Sequence, residues 1–174
     1  MNRYKYALSL HEITERIIGL FPYGTVIDPE NTNIQDEQLS FFEDSELVFA
    51  KLKEKKFSVI LFINQFKQHP IAFEELKKFT EAVESYIRQK NVKVAGLYWA
   101  PGHDKKDPFV VPNPGMFYRA TENTGIKWDG ITVLSTNDSD LSAANKVKAH
   151  PVKIGDLNAK MESHSSLLEW IDKQ

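Results

Sequence analysis

The chain contains no cysteine. That one absence excludes disulfides, thiolate nucleophiles and cysteine-ligated zinc together. Also missing is any apolar stretch near the ~20 residues that a membrane-spanning helix requires. The opening residues, Met1-Asn2-Arg3-Tyr4-Lys5-Tyr6, lack the apolar core and small-residue cleavage site of a secretory signal. No charge of one sign dominates: 22 basic against 24 acidic residues leave a net charge of −2, with the two kinds interspersed. Neither nucleic acid nor an anionic membrane is therefore an expected partner. Lys105-Lys106 lies between Asp104 and Asp107, which cancels its local field. A cytoplasmic location is the expectation these absences leave.

What is present suits a single globular domain. The chain has 174 residues, 41% of them hydrophobic, enough to bury roughly two-thirds of the unfolded surface. Short apolar runs alternate with helical patterns, as in a mainly parallel sheet with crossover helices. Strands are predicted at 17–21, 58–63, 92–98, 130–134 and 152–154. Helices are predicted at 43–55 (with Leu47, Ala50 and Leu52 as an apolar face), 71–89, 116–124, 139–146 and from 165 onward. In the 71–89 helix, Leu76, Phe79, Val83 and Ile87 fall three or four residues apart on one face. Gly125 reads as a C-cap, and a Ser or Asp as the N-cap of the 139–146 helix. Residues 1–14 read as an extension, either an added strand or a helix, ahead of a domain spanning 15–174. Residues 98–114 read as an irregular loop.

Four blocks carry a family resemblance. They are Phe21-Pro22-Tyr23-Gly24-Thr25-Val26-Ile27-Asp28, Val59-Ile60-Leu61-Phe62-Ile63-Asn64-Gln65, Val111-Pro112-Asn113-Pro114-Gly115-Met116, and Leu134-Ser135-Thr136-Asn137-Asp138-Ser139-Asp140-Leu141. In this order they resemble the motifs of the haloacid dehalogenase (HAD) superfamily of phosphohydrolases. The likeness is closest to its small capless branch of histidinol-phosphate and heptose-bisphosphate phosphatases. It implies a Rossmann-like α/β three-layer sandwich in one domain. It also implies magnesium-assisted phosphoryl transfer through two aspartates, a hydroxyl and a lysine.

At each of those positions this chain departs from the pattern. Phe21 stands at the nucleophile position and Tyr23 at the acid/base position. Ile63 replaces the hydroxyl, Val111 the lysine, and Thr136 the magnesium-binding aspartate; only Asp140 is retained. A phenylalanine has no nucleophile, and a phenol with a pKa near 10 is a poor base at neutral pH. Without carboxylates at 21 and 136, the resemblance's direct side-chain ligands for magnesium are gone, so no cofactor is expected. Phe21, Ile63 and Val111 together suggest a site filled by apolar side chains. Asp138 and Ser139 would then cap a helix, and Asp140 would bond loop backbone.

The expectation is thus a catalytically silent, phosphatase-like binding or scaffold module with an unidentified protein partner. Two other readings remain open. One is a hydrolase of a small phosphorylated metabolite using displaced groups such as Asp28, Asp138 and Asp140. The other is a non-hydrolysing sensor with Thr25, Asn64 and Gln65, together with Asp138 and Asp140, as its polar contacts. The 98–114 loop coincides with a zinc clip in the resembling phosphatases. Ala100, Asp107 and Phe109 stand at its cysteine positions, and His103 alone is left as a ligand type. Tyr98, Trp99, His103 and Phe109 could instead form an aromatic contact surface for a partner, or pack the loop onto the domain. His11, His69, His150 and His164 show no metal-ligand spacing, and no glycine-rich nucleotide motif is present.

Overall fold

The structure, a computed structural model, describes residues 4–7, 16–64, 72–100, 102, 104–157 and 160–174. In chain order the elements are β1 (Tyr4–Ala7), β2 (Arg16–Leu20), α1 (Ser45–Glu54), β3 (Phe57–Asn64), α2 (Phe73–Gln89) and β4 (Lys93–Ala100). They continue as α3 (Gly115–Thr124), β5 (Thr132–Ser135), α4 (Asp138–Lys146), β6 (His150–Ile154), β7 (Ser163–His164) and α5 (Leu167–Asp172). One seven-stranded sheet has the order β1-β4-β3-β2-β5-β6-β7. Every pairing from β4 to β7 is parallel. β1 joins the β4 edge antiparallel, with Tyr4 opposite Tyr98. The rest of residues 1–14 lies outside the described residues.

The parallel sheet follows from strands that are apolar on both faces. In β3, Val59, Leu61 and Ile63 enter one core while Ile60 and Phe62 enter the other. The first core is closed by α1, α2 and α5, through residues such as Phe49, Leu76, Val83 and Trp170. The second is closed by α3 and α4, through Met116, Phe117, Ala143 and Ala144. The Leu76–Phe79–Val83–Ile87 stripe of α2 is buried as its spacing predicts. The face predicted for α1 is different in the structure. Leu47 and Ala50 are exposed, and the buried set is Val48, Phe49 and Leu52. The better match to a helical period is one step along from Leu47.

Other predicted boundaries shift by a few residues. Trp99 and Ala100 belong to β4 rather than to an irregular loop. The N-cap of α4 is Asn137, whose side chain accepts from Ser139 N; neither Asp138 nor Ser139 takes that role. The strand β7 was not predicted, because two residues carry no period.

In the β6–β7–α5 corner two carboxylates, Glu162 and Glu169, each collect several polar partners. Glu162 bridges His150 Nε2 (2.5 Å) and His164 Nε2 (3.0 Å). Glu169 accepts from Lys173 Nζ, Ser165 Oγ and Ser165 N. Those donors, Lys173 first, pull the Glu169 carboxyl down to about 2. A carboxyl depressed on folding stabilises the fold above its unfolded pKa, and that contribution fades as pH falls toward the folded value. The window is therefore about 4.5 down to about 2. Glu169→Gln should flatten the fall of melting temperature across that window while changing little near neutrality, as melting at stepped pH would show. A mutant whose acid limb overlays the parent would contradict the assignment.

Candidate functional site

The chain runs β2, β3, β4 in one direction and then returns to place β5 on the other side of β2. At such a reversal the loops leave in opposite directions and open a crevice beyond the strand ends, where ligands bind in open α/β sheets. Here the crevice has a volume of about 620 Å³. Its walls come from the ends of β2 (Phe21, Pro22, Tyr23), β3 (Phe62, Ile63, Asn64) and β5 (Thr136, Asn137, with Asp140 from α4), with Phe79 and Val111 beside them. Pro29 and Glu30 complete the rim. They are brought there by a small flap held by the bridges Ile27↔Phe41 and Asn33↔Gln38.

The turn after β2 is fixed by backbone geometry. Pro22 O accepts from Thr25 N, Val26 N and Ile27 N. Gly24 has φ +85°, and a Cβ there would come within 2.7 Å of Thr136 Oγ1. Glycine is thus required twice over, by the left-handed backbone and by the approach of the β5 loop. Thr25 is buried, and its hydroxyl donates to Phe21 O at 2.6 Å. It does not line this crevice but a separate pocket, with Phe42, Ile154 and Ser166.

Phe21 and Ile63 do not pack on one another. Phe21 is 3% exposed and stacks on Phe62 at 5.2 Å, with Phe117 at 6.3 Å. Ile63 belongs to the core on the opposite face. Phe21 and Val111 pack with the α3–α4 core and Ile63 with the other, and a crevice of about 620 Å³ is left beside them. The expectation of a filled site is corrected accordingly. Tyr23 is half-buried, and burial followed by the nearby Asp28 charge raises its phenol above the usual value. At neutral pH it keeps its proton and cannot act as the missing base.

Asp140 is buried and is held by side-chain donors. Its Oδ1 accepts from Asn64 Nδ2 (2.6 Å) and its Oδ2 from Ser135 Oγ (2.7 Å). Ser135 Oγ in turn accepts from Asn137 N. Asp138 is exposed and bound to Lys153 Nζ at 2.5 Å. Asp28 is committed to a local turn, accepting from Glu30 N and Asn31 Nδ2, which holds its carboxyl below the usual range. The three displaced acids of the hydrolase reading are therefore not gathered at one reacting centre. Asn64 has its amide orientation set by Asp140, which needs a donor, so Nδ2 faces the carboxylate. Its Oδ1 is buried and has no hydrogen-bond partner among the described residues.

Magnesium does not fit the residues present. Positions 21 and 136 offer no carboxylate, and both oxygens of Asp140 already hold donors. Among the described residues no three His, Asp or Glu side chains gather as a metal site.

Of the two readings of the loop aromatics, contact surface or packing onto the domain, the described residues show packing. Tyr98 and Trp99 are buried and point into opposite cores. Phe109 packs against the α3–α4 core. The loop that follows is stapled by polar side chains. Asp107 Oδ1 accepts from Phe109 N, and Asn113 Nδ2 reaches Lys105 O and Asp107 O. Gln65, His103, His11 and His69 lie outside the described residues.

Sequence reasoning missed Pro22, Pro29, Glu30, Phe62, Phe79 and Asn137 as crevice residues. Phe62 and Phe79 were read correctly as apolar strand and helix positions, and only their height along the element brings them to the rim. Nothing in the local pattern marks Glu30.

Solved structures share this architecture. A D,D-heptose 1,7-bisphosphate phosphatase from B. bronchiseptica, complexed with magnesium and phosphate, matches with TM-score 0.75 at 17% identity, over 91% of this chain and 97% of that one. A HAD-like phosphatase from Mesorhizobium loti matches with TM-score 0.71 at 13% identity, over 97% and 86%. The corresponding heptose-bisphosphate phosphatase from Burkholderia thailandensis gives 0.65 at 12%, over 91% and 97%. The fold is HAD-like. At these identities the likeness establishes the HAD-like architecture and leaves the chemistry to the residues. No protein-family model matches the sequence, and no curated protein matches it. Among the described residues, no helix is long and apolar enough to cross a membrane.

Proposed function

We propose that this HAD-like chain is a cytoplasmic, non-hydrolysing binding module that takes a small molecule at its sheet switch point without metal or phosphoryl transfer. One observation carries the reading: the crevice stays open at about 620 Å³ although its nucleophile position is Phe21. That volume lies within the range of small-molecule sites. The polar groups that remain, Asn64, Asp140, Thr136 and Tyr23, suit orientation of a ligand. They do not suit attack on phosphorus, which needs an activated nucleophile and compensation of developing charge.

Steady-state turnover of sugar phosphates, histidinol phosphate and p-nitrophenyl phosphate with added magnesium tests this. The expected result is background hydrolysis, unchanged by EDTA and by Asp140→Asn. EDTA-sensitive turnover that falls in Asp140→Asn or Glu30→Gln would support the displaced-residue hydrolase instead.

A further inference from the structure

The β6–β7–α5 corner contains a buried titratable group that the crevice does not use. His164 is 6% exposed, and both of its ring nitrogens face carboxylate oxygens. Nε2 meets Glu162 Oε1 at 3.0 Å, and Nδ1 stands 3.7 Å from Glu169 Oε1. An ionised carboxylate only accepts, so the Glu162 contact places the one N–H of a neutral ring on Nε2. Nδ1 is then a bare acceptor, buried and without a hydrogen-bond partner among the described residues. The group it faces, Glu169, is another acceptor. An imidazolium changes this, because it donates from both nitrogens. From 3.7 Å, an approach of about 0.8 Å brings Nδ1–H to ordinary hydrogen-bond length.

The charged groups around the ring come from three segments. Glu162, just before β7, is shared with His150 of β6 at 2.5 Å. From α5 come Glu169 and Lys173, whose Nζ is held by Glu169. Lys153 of β6 is turned to Asp138, and Asp172 of α5 to Lys51. Asp156 and Lys160, in the β6–β7 connection, are exposed. His164 first, and then His150, hold Glu162 below the usual carboxylate range. Both carboxylates therefore stay ionised through the range in which histidine changes charge.

The same corner is the wall of a cavity. Ser165 and Ser166, directly after His164, line a space of about 570 Å³ with Ile154 and Gly155 at the end of β6. Gly24 and Thr25 line it too, and they belong to the turn that carries Tyr23 into the crevice. Ser165 N and Ser165 Oγ both donate to Glu169 Oε2, and Gly155 N donates to His164 O. A shift of the ring or of the Glu169 carboxylate is thus passed to the wall.

We propose that His164 is a proton-operated clamp on this second cavity. Uptake of a proton at Nδ1 ties β7 to α5 through Glu169 and draws in the wall at Ser165 and Ser166. Its loss as pH rises lets the wall loosen. Linkage fixes the sign. A proton bound more tightly by the folded corner than by the unfolded chain gives stability that is present at the acidic end and lost as pH rises. Burial of the ring without a second partner gives the opposite slope, because it disfavours the charged form.

Urea unfolding of the full chain between about pH 5.5 and 8, the range of histidine titration, tests this beside His164→Gln and His150→Gln. Across that range the parent's folding equilibrium constant should fall by about tenfold more than that of His164→Gln, the effect of one charge-assisted contact. His150→Gln, at an exposed position, should keep most of the parent's fall. An NMR titration of the parent needs no substitution. At the acidic end the His164 ring should carry N–H on both nitrogens, and the amides of Gly155, Ser165 and Thr25 should shift with the ring's own midpoint. Parallel unfolding profiles for the parent and His164→Gln, or a slope of the opposite sign, would overturn the proposal. So would a His164 ring that keeps a bare nitrogen at the acidic end, or ring protonation that leaves those amides unmoved.

Discussion

Phe21→Asp, which restores the residue type of the resembling phosphatases, should destabilise the protein by on the order of 3–5 kcal/mol at neutral pH. The larger part is packing. Phe21 is 3% exposed and stacks with Phe62 beside Phe117 and Trp128. Deleting a buried aromatic leaves a void that the strand ends cannot close. The smaller part is charge, since a carboxylate there faces aromatic carbon on one side and Asp140 across the crevice. Phe21→Asn, similar in size but uncharged, separates the two. Burial raises the folded pKa of the new carboxyl above its unfolded value, so the charge penalty grows as pH rises through that range and vanishes below it. The Asp and Asn variants should therefore differ at neutral pH and converge on acidification, as denaturant unfolding at stepped pH would show. Near-parental stability for Phe21→Asp would place position 21 in water and contradict the packing described.

Gly115→Ala should cost roughly 2–4 kcal/mol, combining overpacking with loss of a backbone hydrogen bond. A Cβ at 115 would lie 2.3 Å from Pro108 O and 2.7 Å from Pro108 C. Gly115 N also donates to that same Pro108 O at 2.8 Å. Backbone obstructs the space, so no side-chain rotation relieves it. The loop carrying Phe109 and Val111 must move away from α3, and Val111 is part of the crevice wall. Unfolding by denaturant measures the loss. A parental midpoint would show that this loop is not seated on Gly115.

The sheet was legible because its strands are short, apolar on both faces and separated by helices of clear period. The four motif blocks were legible for a second reason, since Gly24 and Gly115 serve backbone geometry that survives whatever the neighbouring side chains do. The state of the site was not legible. Phe21, Ile63 and Val111 are all apolar and all face one crevice, which suggested mutual packing. Strand alternation instead sends Phe21 and Ile63 to opposite cores. Whether the residual space closes depends on how far α2 and the flap at 27–41 can approach, and no local pattern encodes that. The hydrogen-bond partners of Asp140 were likewise beyond reach, since Asn64 lies 76 residues away in sequence. Tyr98 and Trp99 allowed two readings, a contact surface or packing onto the domain, because aromatic residues mark both; their burial decides for packing, and β4 runs two residues further than its apolar pattern indicated.

The central claim is that the open crevice binds without breaking a phosphate ester. Its most direct measurement follows phenyl phosphate by phosphorus NMR over hours, with protein at stoichiometric concentration and magnesium in excess, alongside mass spectrometry of the protein. Stoichiometric protein removes any dependence on turnover rate, so even a single slow event per molecule registers. The expected result is an unchanged ester resonance, no inorganic phosphate and no added phosphoryl mass on the chain. Inorganic phosphate that accumulates with protein and is suppressed by EDTA, or a phosphorylated protein, would contradict it.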